Sequence, residues 1–170
     1  MIPIIGEGTE RDPYAIPLAT RDGTYIPNVR TTEQAPEFHQ SAAEMFNHER
    51  GNAHLRSSTS LYNCVGHVFA SRRTWVEIDH LALILQRDGY KRVSEQKELW
   101  IGDVIVYENA DHEMTHVGVV VEKQPDVEHG GYKIYVLSKW GQNGEYFHQL
   151  DDVPPLLGKP ATFWSERREV

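Results

Sequence analysis

The chain is organised around the run Leu61-Tyr62-Asn63-Cys64-Val65-Gly66-His67-Val68-Phe69-Ala70, which holds the only cysteine among 170 residues. Small polar residues at 56–60 predict a loop before it, and the apolar residues after Cys64 have helical spacing. The pattern predicts a helix over residues 64–73 that begins at Cys64. At a helix start, the helix dipole and free backbone N–H groups lower the pKa of a thiol and can hold an oxyanion. Cys64 is therefore a candidate nucleophile, with a small buried apolar residue as the alternative interpretation.

The composition narrows the classes of function. Lys and Arg number 17 against 25 Asp and Glu, which gives a formal net charge of −8. This charge argues against a nucleic-acid partner, because phosphate contacts dominate that affinity. A single cysteine excludes an intramolecular disulfide and a thiolate-rich zinc site. The contents of 39% hydrophobic and 25% charged residues are typical of a soluble globular protein.

The N-terminal segment, residues 1–12, has no basic region followed by a long apolar run, so the sequence predicts no secretory signal. No stretch approaches the roughly 20 apolar residues that a membrane span requires. We therefore expect a cytoplasmic location by default, with export by a signal-independent route as the alternative. No feature of the sequence indicates an oligomeric state.

Helical patterns precede strand patterns along the chain. Turn-forming residues dominate 1–30, which we expect to be an irregular arm, and helices are predicted over 33–50 and 76–88. Runs of β-branched residues predict successive antiparallel strands, at 104–107, 115–121, 132–137, 144–148 and 161–164. We expect a single α+β domain over residues 1–170, with a helical part at 31–92 and a strand part at 98–165.

The sequence His112-Glu113-Met114-Thr115-His116 matches the zinc-binding pattern H-E-x-x-H. On a helix this spacing places two imidazoles on one face with Glu113 as general base, which would make the protein a zinc metallopeptidase. The valine run after His116 favours a strand instead, on which positions four apart lie roughly 13 Å from each other. We therefore expect a loop that enters a strand, and the zinc site is an alternative function.

His116 has a second candidate role, as the partner of Cys64. If the sheet packs against the helix of Cys64, a histidine at a strand start can accept the thiol proton and return a proton to the leaving group. A polar side chain from a neighbouring strand would then fix the tautomer of the ring.

Three motifs in this order resemble those of the NlpC-type peptidases, within the papain-like clan that includes the CHAP amidases. Asn63-Cys64-Val65 stands where the family has D-C-S at a helix start, Gly102-Asp103 stands at its G-D turn, and His116-Val117-Gly118 matches its H-V-G strand. The resemblance covers roughly residues 58–140 and departs from the family at Val65, which replaces a serine. It implies a papain-like core in which N-terminal helices pack on an antiparallel sheet of about four to six strands.

The same resemblance implies a thiol hydrolase, an amidase or peptidase that forms an acyl-enzyme on peptide or peptidoglycan-type amides and needs no cofactor. It assigns Cys64 as the nucleophile and His116 as the base. The third catalytic residue comes from the strand that follows, and we choose Ser138, with Gln142 and His148 as alternatives.

Tyr62 and Asn63 precede the nucleophile directly, and we expect both to bind substrate. A catalytically inactive binding domain of the same fold is a further alternative.

Overall fold

The computed structural model describes residues 12–46 and 51–166. Its three α-helices and seven strands, in chain order, are α1 (Pro36–Phe46), β1 (His54–Ser57), α2 (Cys64–Phe69), α3 (Leu81–Arg87), β2 (Lys91–Val93), β3 (Val104–Glu108), β4 (Met114–Pro125), β5 (Tyr132–Lys139), β6 (Glu145–Gln149) and β7 (Lys159–Ser165). Three short 3₁₀ helices, at Ile78–His80, Gln96–Glu98 and Pro155–Leu157, complete the described elements.

The strands form one antiparallel sheet in the order β1-β6-β5-β4-β3-β7-β2. The expected α+β class is confirmed, although the sheet has seven strands, more than the four to six that the resemblance implies. The predicted strands correspond to β3 to β7. They are recognisable in the sequence because β-branched and aromatic residues pack well on a half-buried pleated surface.

Apolar residues cover both faces of the sheet. On one face, α2 and α3 pack against β3 and β4, through Cys64, Val65, Leu81, Ile84, Leu85, Val104, Val106 and Val117. We call this the helix face. The opposite face, which we call the far face, is covered by α1 and by the segment after β6, through Phe46, Ile105, Tyr107, Val120, Val136, Trp140, Tyr146 and Leu150. Each face therefore has its own core.

The register of β3 and β4 decides which face each side chain joins. Val106 pairs with Val117, and Tyr107 pairs with His116. Since successive strand residues point to opposite faces and paired residues share a face, Val117 lies on the helix face and His116 on the far face.

Several predicted boundaries differ from those observed. Helix α2 ends at Phe69 and not at residue 73, because Ser71 and Arg72 take φ angles of 51° and 61°, outside the helical region. The predicted helix over 76–88 divides into the 3₁₀ turn at Ile78–His80 and α3. The helical part at 31–92 also contains β1 and β2, which the sequence pattern does not predict.

The expected arm at 1–30 is irregular where it is described. Ala19 and Tyr25 form an isolated bridge around a turn in which Gly23 has a φ of 86°, a conformation that glycine adopts without strain. Residues 1–11 of the arm and residues 47–50 of the predicted first helix lie outside the described residues. Within 12–46 and 51–166, the structure contains no helix long and apolar enough to cross a membrane.

Candidate functional site

Cys64 is the first residue of α2, and the side chain of Asn63 fixes this helix start. The Asn63 Oδ1 atom accepts hydrogen bonds from the backbone N–H of Gly66 at 3.0 Å and of Val76 at 3.2 Å, and its Nδ2 donates to the Val76 carbonyl at 2.6 Å. Asn63 is therefore the helix cap. Its buried side chain is bonded within the protein, and its expected contact with substrate stays a prediction.

Gly66 allows α2 to lie directly against the chain that follows it. A Cβ atom at this position would overlap the backbone carbonyl oxygen of Thr74. Together with the Asn63–Val76 hydrogen bonds, this contact positions the helix start, and with it Cys64, against the segment 74–76.

The sulfur of Cys64 lies close to β4. Burial raises the pKa of the thiol to about 11, while the backbone N–H groups of Val117, Val65 and Cys64 itself, and the charge of Lys139, act in the opposite direction. The residue is only 7% exposed. The thiol is therefore protonated at neutral pH, and the groups around it are those that would stabilise a thiolate once it forms.

His116 lies on the far face and does not meet Cys64. Its ring centroid is 5.2 Å from that of Tyr107, and its Nε2 atom is buried without a hydrogen-bond partner. Burial holds the pKa of His116 well below its ordinary value, and the nearby His148 and His67 lower it further. Among the hydrogen bonds of the described residues, none joins Cys64 to His116, so the predicted pair is not formed in this arrangement.

Ser138 belongs to a different hydrogen-bonded group. The ring of His148 donates from Nδ1 to the Gln149 carbonyl at 2.7 Å, so its Nε2 accepts the Ser138 hydroxyl proton at 2.8 Å. The Ser138 oxygen in turn accepts the Trp140 indole N–H at 3.1 Å. Ser138 therefore bonds His148 and Trp140 in the far-face core, and no hydrogen bond among the described residues joins it to His116.

The other two candidates for the third residue are equally far from that role. His148 is buried within the same group, and burial lowers its pKa to about 4. Gln142 lies exposed in the turn that joins β5 to β6. Neither is hydrogen-bonded to Cys64 or His116 among the described residues.

Lys139 is the charged group that the structure brings to Cys64. It is fully buried at the end of β5, its Nζ donates to the Gly141 carbonyl at 2.5 Å, and Nζ lies 5.3 Å from the centroid of the Tyr62 ring. Burial lowers the pKa of Lys139 to about 8, and the charge of Cys64 acts to raise it. Strand alternation could have identified this residue in the sequence. Successive residues of a strand point to opposite faces, so Lys139 faces the helices if Ser138 faces away from them.

Glu145 connects the residues around α2. Its carboxylate accepts the Tyr62 hydroxyl proton at 2.8 Å and two hydrogen bonds from Arg72, from Nε at 2.8 Å and from Nη2 at 3.0 Å. Tyr62, which is 5% exposed, therefore anchors the loop before Cys64. Its expected contact with substrate stays a prediction.

His67 joins the same group as a neutral ring. Its Nε2 lies 3.4 Å from a Glu145 oxygen and 3.1 Å from Nη2 of Arg72. The arginine can only donate, so Nε2 accepts and the proton resides on Nδ1, which has no hydrogen-bond partner. Burial lowers the pKa of His67 to about 4 even though Glu145 acts to raise it. The contact with Glu145 is therefore not an ion pair at neutral pH.

The H-E-x-x-H segment lies in a turn and a strand, as expected. His112 is exposed with a φ of 63°, and Asn109 Oδ1 closes the turn by accepting from the N–H groups of Asp111 and Glu113. His116 is buried in β4. The two histidines therefore do not share a helix face, and within 12–46 and 51–166 no group of three or more His, Cys, Asp or Glu side chains is arranged to hold a metal ion.

A family described as a domain of unknown function, DUF7689, matches residues 54–164. This match spans more than half of the chain and includes α2 and all of the sheet except Ser165, the last residue of β7, so the chain belongs to this family. No curated protein and no solved structure shows significant similarity to it.

Proposed function

We propose that this member of the DUF7689 family is a thiol hydrolase of amide or related acyl bonds, with Cys64 as the nucleophile. The observation that carries the proposal is the environment of its sulfur, at a helix start among three backbone N–H groups and within electrostatic reach of Lys139. Each of these groups favours a thiolate, and N–H groups in such positions stabilise an oxyanion. The resemblance to NlpC-type peptidases supports the same chemistry and implies peptide or peptidoglycan-type amides as the substrate class.

Lys139 is the proton acceptor that the geometry favours. It lies on the helix face with Cys64, and a pKa lowered to about 8 by burial gives it a neutral fraction near physiological pH. The neutral amine takes the proton from Cys64, and the product is a thiolate beside an ammonium group. His116, the base that the family resemblance implies, would have to bring its ring across from the far face.

The reaction then follows the acyl-enzyme route. The thiolate forms a C–S bond with the carbonyl carbon, and the resulting oxyanion is held by backbone N–H groups at the start of α2. When the C–N bond breaks, the leaving amine takes its proton from the Lys139 ammonium. A water molecule, deprotonated by the same amine, cleaves the thioester and releases the acid, and Cys64 recovers a proton.

A binding domain of the same fold is the second candidate function. The observation that favours it is the burial of Cys64, since a thiol that is 7% exposed with a raised pKa is also typical of a structural cysteine. Such a domain would keep its ligand and its effect when Cys64 is replaced.

The test compares the wild type with Cys64→Ala on peptidoglycan fragments and on a peptide panel, with the products identified by mass. We expect cleavage by the wild type and none by Cys64→Ala. Lys139→Met should reduce the rate by roughly a hundredfold or more, the usual contribution of a general base, whereas His116→Phe should retain most of it. Equal amounts of product from the wild type and Cys64→Ala would contradict the assignment of Cys64 as the nucleophile. A folded but inactive His116→Phe would instead support His116 as the base.

A further inference from the structure

A pocket of about 330 Å³ lies between the N-terminal arm and the two loops that flank α2. Its lining residues are Ile16, Arg30, Thr31, Leu61, Arg72 and Arg73. Leu61 belongs to the loop that leads into Cys64, and Arg72 and Arg73 belong to the loop that leaves the same helix. The pocket therefore adjoins both ends of the element that carries the proposed nucleophile.

The charge of this pocket is opposite to that of the chain. The described residues that line it include three arginines and no Asp or Glu, although the whole chain has a net charge of −8. Arg72 is held by Glu145. Within residues 12–46 and 51–166, Arg30 and Arg73 are exposed and their side chains make no hydrogen bond or ion pair. Among the described residues, two of the three guanidinium groups are therefore without a partner and can bind an anion from outside.

The backbone that presents two of these arginines is strained. Ser71 and Arg72 are consecutive non-glycine residues in the left-handed region, with φ angles of 51° and 61°, a conformation that side chains with a Cβ disfavour. The backbone N–H of Arg72 donates to the Gly66 carbonyl and that of Arg73 to the Ala70 carbonyl, both at 3.1 Å. These hydrogen bonds hold the loop against the end of α2, and Arg72, Arg73 and Leu61 line the same pocket.

We propose that this pocket is a subsite for a carboxylate of the substrate, so that the enzyme acts on acidic peptides or acyl compounds. The inference rests on the proposed function for the adjacent bond cleavage. Arginine pairs of this kind bind a carboxylate through charge-assisted, often bidentate hydrogen bonds. Ile16 and Leu61 offer apolar contact for the methylene groups that carry such a carboxylate. The carboxylate comes either from an acidic side chain or from a free chain terminus.

Binding tests the subsite independently of cleavage. The protein carries Cys64→Ala, and its arginine Nε–H resonances are followed by NMR during titration with three probes. These are acetyl-Ala-Glu-Ala-amide, its Gln analogue, and acetyl-Ala-Gln-Ala with a free carboxylate. We expect shifts with one or both acidic probes and none with the capped Gln probe, and which acidic probe binds identifies the source of the carboxylate.

The decisive variant combines Arg30→Met and Arg73→Met, which leaves the Arg72–Glu145 pair intact. Binding of the acidic probe should weaken by roughly tenfold or more, as the loss of charge-assisted hydrogen bonds requires. The matched control is Arg56→Met, an exposed arginine of β1 outside the pocket, which should bind as before. Equal binding of the acidic and neutral capped probes, no binding of any probe, or an equal loss in Arg56→Met would overturn the subsite.

The outcomes for the subsite and for the hydrolase are distinct. Charge-dependent binding by a protein that cleaves no peptide would keep the subsite and remove the hydrolase. Cleavage that depends on Cys64 but is the same for acidic and neutral peptides would keep the hydrolase and remove the subsite.

Discussion

Arg72 donates two hydrogen bonds to the Glu145 carboxylate, from Nε to Oε2 at 2.8 Å and from Nη2 to Oε1 at 3.0 Å. The carboxylate is 7% exposed, and the guanidinium is about half exposed. The Glu145 carboxylate, the buried member of the pair, also accepts a hydrogen bond from the Tyr62 hydroxyl. The Glu145 carboxylate thus connects three parts of the protein: strand β6, the loop before Cys64, and the loop that follows α2.

Glu145→Gln should therefore change both stability and the titration of the site. The loss of a buried charged acceptor should lower the free energy of unfolding by on the order of 2–3 kcal/mol. Because the Glu145 charge raises the pKa of Lys139, its removal should move that pKa further below about 8. Urea unfolding checks the first effect, and NMR titration of the Lys139 ammonium checks the second. Glu166→Gln, which breaks an exposed ion pair with Arg21, is the matched control and should change neither.

Gly66 should not tolerate even one added methyl group. In Gly66→Ala the new Cβ would overlap the Thr74 carbonyl oxygen, and a backbone carbonyl cannot move aside as a flexible side chain can. We expect a loss of roughly 3 kcal/mol of stability, or an unfolded protein. Thermal unfolding measures this loss. Gln86→Ala, on the exposed side of α3, should stay within about 0.5 kcal/mol of the wild type, and an equally stable Gly66→Ala would contradict the described packing.

The sequence was sufficient to predict the parts of the fold that hydrophobic patterns encode. The start of α2 at Cys64 and the strands β3 to β7 follow from periodicity and β-branched runs. Strand β1 could not be found in this way, because all four of its residues are exposed and it exists only by pairing with β6. Helix α2 ends early because Ser71 and Arg72 have φ angles in the left-handed region. Serine and arginine rarely adopt this conformation, so the sequence does not predict it.

The side chains that lie near Cys64 could not be predicted from the sequence, because their placement depends on strand register. A shift of one residue exchanges the faces, so the predicted residue Ser138 lies on the far face while its neighbour Lys139 faces the helices. The H-V-G motif also has a structural reason: a Cβ at Gly118 would collide with Val136 and Ser138 of the adjacent strand. That glycine permits strand packing whether or not His116 acts in catalysis.

The stability of the protein should fall as the pH falls from about 6.5 towards 4. Burial lowers the pKa of His67 and of His148 to about 4 and that of His116 well below 6.5. In this window the unfolded state binds more protons than the folded state, so acid favours unfolding. For His67 and His148 the full effect is roughly 3 kcal/mol each. Urea unfolding at pH 7, 6 and 5 measures the slope.

A matched pair of variants assigns that slope to buried histidines. His148→Phe should reduce the dependence of the unfolding free energy on pH, whatever its effect on stability at pH 7. His129→Gln, at an exposed histidine, should leave it unchanged. A wild type whose stability is constant between pH 7 and 5 would contradict the burial of these rings.

The reactivity of Cys64 should distinguish its two candidate partners. Because burial raises the pKa of the thiol to about 11, iodoacetamide should label Cys64 more slowly at pH 7.5 than it labels a free thiol peptide. The Lys139 charge lowers this pKa, so Lys139→Met should slow labelling further and move its pH midpoint upward. His116→Phe should leave both unchanged, because its ring lies on the far face.

Labelling is followed by mass spectrometry on folded protein, with Lys123→Met, a lysine that lies at the exposed rings of Trp100 and Tyr132, as the control for loss of charge. A rate that drops in His116→Phe and not in Lys139→Met would reverse the assignment and place His116 beside the thiol in solution.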